Sequence, residues 1–109
     1  MKLSEIIDRL ALEVLTPLPE DREVTGGYTG DLLSWVMGRA ESNMLWITIM
    51  TNVNILAVAS LRDLPAVLIA EGAEIDAAVL DKAREQEIAL LRSPKSAYTL
   101  CAELADLLK

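Results

Sequence analysis

The chain has 109 residues, a mass of 11.9 kDa and a formal charge of −7, from 10 basic and 17 acidic residues. With 52% hydrophobic residues, one cysteine and no histidine, it is no disordered chain, no disulfide scaffold and no Cys-cluster or His-built metal protein. The acidity gives it no electrostatic basis for gripping nucleic acid or an anionic membrane surface.

The length predicts a single domain over residues 1–109, with about two thirds of the chain's surface buried on folding. Mean hydropathy is +0.32. That value predicts strands covered on both faces, or an apolar surface covered by a partner. Met1 and Lys2 are followed by Ser4, Glu5, Asp8 and Arg9, so no apolar signal stretch opens the chain. The most apolar region, Met44 to Ala59, is interrupted by Thr48, Thr51, Asn52 and Asn54, too short and too polar to span a bilayer. With a lone cysteine, Cys101, the expected location is cytoplasmic.

Leu3, Ile6, Ile7 and Leu10 recur at helical spacing, with Ser4 as the expected N-cap and Ala11 near the end. Glu13 to Thr16 reads as a short strand stopped by Pro17 and Pro19. Arg22 to Thr25 reads as another, stopped by Gly26 and Gly27. Asp31 is the expected cap of a helix carrying Leu32, Leu33, Trp35, Val36 and Met37, which ends between Gly38 and Asn43. Met44 to Met50 is a central strand buried on both faces. Thr51 or Asn52 caps the next helix, with Ile55, Leu56, Val58 and Ala59 inward. Ala66 to Ile69 is a second buried strand, turned by Glu71 and Gly72. Asp76 caps a helix to about Gln86, and Ile88 to Leu91 is a third buried strand. Ser93 and Pro94 open the last helix, with Tyr98, Leu100, Cys101, Leu104, Leu107 and Leu108 on its inner side. Strands alternating with helices predict an α/β fold, a mostly parallel central sheet flanked by helices.

Three glycines, Gly26, Gly27 and Gly30, precede a helix and could present backbone N–H groups to an anion, with Thr25 beside them. The run is neither a Walker A loop nor a dinucleotide fingerprint. The reading that periodicity favours is a tight turn whose glycines let the backbone approach a neighbour. Thr51 and Asn52 follow a buried strand and fall at the sheet's carboxyl edge, where open α/β sheets bind ligands. Ser93 and Ser96 share that edge. Capping explains all four as well. Glu71, Glu74 and Asp76 could hold Mg²⁺ through water or be solvated turn charges. Trp46 reads as core. Trp35 sits on a helix whose apolar positions nearly encircle it, so one side of that helix is a candidate contact with a second subunit. Cys101 reads as a small buried side chain, not a nucleophile.

Asp21, Arg22, Thr25, Gly26 and Gly27 spell the pattern that names the DRTGG domain, and Gly30-Asp31-Leu32-Leu33 continues it. The chain resembles that family along its whole length, through the Thr51 to Ile55 junction, the Pro65 to Gly72 strand and turn, and the Ser96-Ala97-Tyr98 helix start. The resemblance implies a fold like the amino-terminal domain of HPr kinase/phosphorylase. It also implies a regulatory, dimerising module of the kind found beside CBS domains in regulated pyrophosphatases. It carries over no catalytic residue and no cofactor. The expected function is therefore non-enzymatic. The chain is read as a homodimer or a partner-binding module, with a nucleotide or another small anionic ligand as candidate effector. Thr25, Gly26, Gly27, Thr51, Asn52 and Ser96 are the candidate ligand residues. The rivals are a structural dimerisation domain with no ligand, and an enzyme acting on a phosphorylated metabolite.

Overall fold

A computed structural model describes residues 1–109. The first helix, α1, spans Leu3–Leu10 and buries Leu3, Ile6 and Leu10. Its start differs from expectation. Ser4 lies inside the helix, and Lys2 holds the cap position without a side-chain cap bond. The missing acceptor comes from 17 residues along the chain. Ser4 donates its N–H to Asp21 Oδ1 at 2.9 Å and its hydroxyl to Asp21 Oδ2 at 2.6 Å. A carboxylate there satisfies an orphan N–H and meets the positive end of the helix dipole.

Strand β1, Glu13–Val14, is shorter than Glu13 to Thr16 because Thr16 turns inward. Its buried hydroxyl donates to the Ile88 carbonyl at 2.7 Å and accepts the Leu90 N–H at 2.8 Å. The predicted strand at Arg22 to Thr25 lies later, as β2 over Gly26–Thr29. Residues 21 and 22 are anchors instead of strand. Arg22 donates to Asp63 Oδ1 at 3.0 Å and to the Ser42 carbonyl at 2.7 Å.

Helix α2 is Leu33–Arg39, with Leu32 at its cap position. Asp31 is not its cap. Its Oδ1 accepts the Thr48 hydroxyl at 2.6 Å and the Ile49 N–H at 3.0 Å, joining the ends of two strands. Strand β3 is Met44–Thr48 and α3 is Asn54–Leu61. Val53 takes the cap position of α3 with no side-chain bond, while Asn52 Oδ1 accepts the Asn54 N–H at 2.9 Å. Then come β4, Val67–Ile69, and α4, Ala77–Glu85, where Asp76 takes the cap position without a side-chain bond. Strand β5 is Leu90–Arg92. The final helix, α5, is Ala97–Leu107, and Ser96 caps it by accepting the Thr99 N–H at 3.2 Å. Tyr98 is not on the inner side of α5; it is 84% exposed.

The strands form one sheet in the order β1-β5-β4-β3-β2. Strands β2 to β5 run parallel, and β1 closes one edge antiparallel to β5. Alternating side chains divide the core into two layers. Leu45, Ile47, Leu68 and Leu91 face α1 and α5. Trp46, Val67 and Leu90 face α2, α3 and α4. Trp46 is fully buried, and its indole N–H donates to the Gly30 carbonyl at 3.0 Å. No buried side-chain polar atom lacks a partner. No helix is long and apolar enough to cross a membrane.

The two bonds from Ser4 hold the Asp21 carboxyl below the usual aspartate value, with Lys2 adding a smaller attraction. A lowered folded-state pKa gives stability that is complete above the ordinary aspartate range and fades as pH falls toward the lowered value. Asp21→Asn is expected to lower the melting temperature at neutral pH. It should also flatten the acid limb of the stability profile, as thermal melts across pH will show.

Candidate functional site

The alternation that builds the core also decides which side of β2 faces what. Gly27 pairs in register with Leu45 and Thr29 with Ile47, so Gly27 and Thr29 point toward α5. Tyr28 points to the other face and packs against the α2–α3–α4 layer. At Gly27 a side chain of α5 comes close to the sheet. A Cβ there would lie 2.8 Å from Leu104 Cδ2 and 3.4 Å from the Leu45 carbonyl oxygen. Gly26 has only Met44 Cγ near its Cβ position, at 3.8 Å.

Beyond that contact the two elements part and leave a groove of about 450 Å³. Thr25, Gly26, Gly27 and Thr29 form one wall, and Cys101, Leu104 and Leu108 form the other. No Asp, Glu, Lys or Arg lines it. The Thr29 hydroxyl is held by the Ile47 carbonyl at 3.1 Å, while Thr25 is exposed at the open end. The groove therefore offers an apolar wall, a flat glycine wall and one threonine hydroxyl. That chemistry suits a planar, largely uncharged group.

Two expectations about the glycines need correction. Gly26 and Gly27 are extended strand residues, not a turn, and neither has positive φ; Gly72 is the glycine that does. Successive strand amides point to opposite sides, so they do not converge on one anion as turn amides do. The close approach foreseen at this pair is real, and it belongs to Gly27.

The other candidate residues lie elsewhere. Thr51 and Asn52 follow β3 at the carboxyl edge, and Ser96 sits at the start of α5, the opposite end from Leu108. None of the three lines a groove. Between β4 and β5 that edge is knitted shut. The Glu71 N–H donates to the Lys95 carbonyl and the Gly72 N–H to the Ser93 carbonyl, both at 2.8 Å. Ser93 is buried, and its hydroxyl oxygen accepts the Lys95 N–H at 3.2 Å. Glu71, Glu74 and Asp76 are exposed and build no cluster able to hold a metal ion.

The sequence reading missed Thr29, Leu104 and Leu108 as groove residues. It also placed Cys101 in the core, whereas Cys101 is half-buried and faces the groove. The spacing Cys101, Leu104, Leu108 marks one side of α5, but periodicity alone does not distinguish a core side from a groove side. Besides Asp21, one other group is shifted. The Glu13 carboxylate, at 2.9 Å, holds the Arg92 guanidinium still more firmly protonated. Both shifts belong to structural contacts, and neither residue lines the groove.

No family model matches the chain, and no curated protein matches it. Among solved structures it is similar to the CBS and DRTGG domains of the regulatory region of Clostridium perfringens pyrophosphatase, determined with the activator diadenosine tetraphosphate. The TM-score is 0.71 at 14% identity, over 94% of this chain and 45% of that one. The chain thus spans under half the length of that structure. At this identity the likeness establishes the fold, a DRTGG-like α/β domain, in agreement with the Asp21 to Gly27 pattern.

The glycine geometry separates two substitutions that look alike in sequence. Gly27→Ala puts a Cβ 2.8 Å from Leu104 Cδ2, so the Leu104 side chain must turn toward the groove, at a cost of about 1 kcal/mol, the low end of overpacking penalties. Gly26→Ala makes an ordinary contact and loses glycine's entropic handicap, so it should be neutral or stabilising by about 0.5 kcal/mol. Urea denaturation of both variants checks this; equal effects would contradict the placement of α5.

Proposed function

We propose that the chain is a non-catalytic regulatory module that senses a nucleotide or similar small anionic ligand in the groove between β2 and α5. On this reading it works as a homodimer in the cytoplasm and acts on a partner protein. The likeness then extends to the amino-terminal domain of HPr kinase/phosphorylase. The observation that carries the reading is the groove itself, whose glycine wall and uncharged lining suit the planar base of such a ligand. A base lies against the backbone at Gly26, just past the point where Leu104 covers Gly27, with Thr25 at its edge. The phosphates stay in water at the mouth, where Lys109 borders the adjoining hollow beside Thr25 and Leu108. The groove wall holds no carboxylate, amine or histidine to move a proton, which favours binding over turnover. The solved structure that shares the fold belongs to a regulatory region complexed with a nucleotide activator, which supports the same class of ligand.

A thermal-shift series with adenosine, AMP, ATP and diadenosine tetraphosphate tests this. A ligand at 100 times its Kd adds about 2.7 kcal/mol of stability, roughly 10 °C or more in a domain of this size. Ala105 is exposed and lines the groove, so Ala105→Trp should fill it while leaving the unliganded melt within about 0.5 kcal/mol of wild type. The expected result is a ligand shift in wild type that disappears in Ala105→Trp. No shift with any of the four at millimolar concentration would contradict the reading.

A further inference from the structure

Large exposed hydrophobic side chains are few and unevenly placed. There are seven, and five of them, Leu32, Trp35, Ile49, Val53 and Leu61, belong to α2, the end of β3 and α3. Trp35 is 53% exposed and Leu61 73%. Leu32, Trp35 and Arg39 share one side of α2 by their spacing, and Val53, Ala57 and Leu61 share one side of α3. The two helices pack side by side, and the Asp31 bond to the Ile49 N–H brings Leu32 to the same end. The Arg39 guanidinium lies 3.9 Å over the Trp35 ring, which holds the indole as a firm projection.

The charge of this face sets it apart. From Leu32 to Arg62 the chain has one carboxylate, Glu41, against Arg39 and Arg62. That is a net +1 in a chain of −7, so everything outside the segment sums to −8. The Arg62 guanidinium is turned inward, donating twice to the Ala40 carbonyl at 2.9 and 2.7 Å. The other helices all present acids to solvent: Glu5 and Asp8 on α1, Asp81 and Glu85 on α4, and Asp106 on α5.

We propose that the α2–α3 face docks a second copy of this chain about a twofold axis. The proposal rests on the homodimer reading above and names its surface. Two chains of charge −7 repel wherever carboxylates meet carboxylates, and this face keeps them at its rim, where the exposed Asp31 and Asp63 flank it. A twofold axis uses the same patch twice, so an apolar patch nearly free of charge is its own complement. Trp35 is the central anchor, as buried aromatic residues are in most interfaces. Helices of seven and eight residues are roughly 10–12 Å long, so the contact is at the small end of stable interfaces. The dimer is therefore reversible, with a dissociation constant on the order of micromolar.

Sedimentation equilibrium on the whole chain, from about 1 to 500 µM, tests the surface. Wild type should move from 11.9 kDa toward twice that mass as concentration rises. Added salt should tighten the dimer by screening carboxylates that face each other across the rim. Trp35→Asp and Leu61→Asp should each weaken it at least ~30-fold while circular dichroism shows a folded monomer, since both side chains are exposed. A wild type that stays monomeric throughout overturns the homodimer reading and this surface with it. A dimer that both variants keep at full affinity overturns this surface alone, and so does a dimer that salt dissociates.

Discussion

The Leu104 side chain reaches over Gly27, where a Cβ would lie 2.8 Å from its Cδ2, and this close approach lets α5 lie against β2. Much else follows from it. α5 pressed onto β2 and β3 gives α1 a partner to pack against, and together they close one side of the core. The residues just before Gly27 secure the same corner. Asp21 caps α1, and Arg22 reaches Asp63 and the Ser42 carbonyl. The Val24 N–H meets the Met1 carbonyl, and the Thr25 N–H meets the Asn43 carbonyl. The Asp21 to Gly27 run is thus an assembly joint in which each residue type has a mechanical reason: carboxylate, guanidinium, extended backbone, absent side chain.

The groove begins where that joint ends. A ligand in it would touch both β2 and α5, the two elements whose close approach Gly27 permits. On the opposite side of the same strand, Tyr28 packs into the layer formed by α2, α3 and α4. The proposed ligand groove and the proposed docking face therefore share β2, with successive residues serving one side and then the other. On that reading a chain of 109 residues has a short physical path between the two surfaces, with no hinge required.

How much of this the amino-acid order displays depends on the range of the interaction. The buried strands were legible because Leu45 to Ile47, Val67 to Ile69 and Leu90 to Leu91 are continuous apolar runs, which parallel strands covered on both faces require. Ser96 was legible as a cap because its partner, Thr99, is three residues away. The misreadings share one cause. Ser4 and Asp31 are sound local caps, yet Asp21 and Thr48, both 17 residues distant, compete for them in the fold. Gly26 and Gly27 look like a turn because glycine marks turns more often than it marks a strand under a tightly packed helix. Tyr98 fits the apolar periodicity of α5 but sits in its first turn with its side chain in solvent. The groove was only half visible, since the end of β2 and the start of α5 lie 68 residues apart along the chain (Thr29 to Ala97) and no spacing rule links them.

The central claim is that the ligand lies against the glycine strand and not at the carboxyl edge of the sheet. Backbone amide chemical shifts recorded during a titration with AMP or diadenosine tetraphosphate test it most directly. The account predicts that the largest changes fall on Thr25, Gly26, Gly27, Cys101, Leu104 and Leu108. Changes centred on Thr51, Asn52 and Ser96, with the glycine strand unmoved, would contradict it.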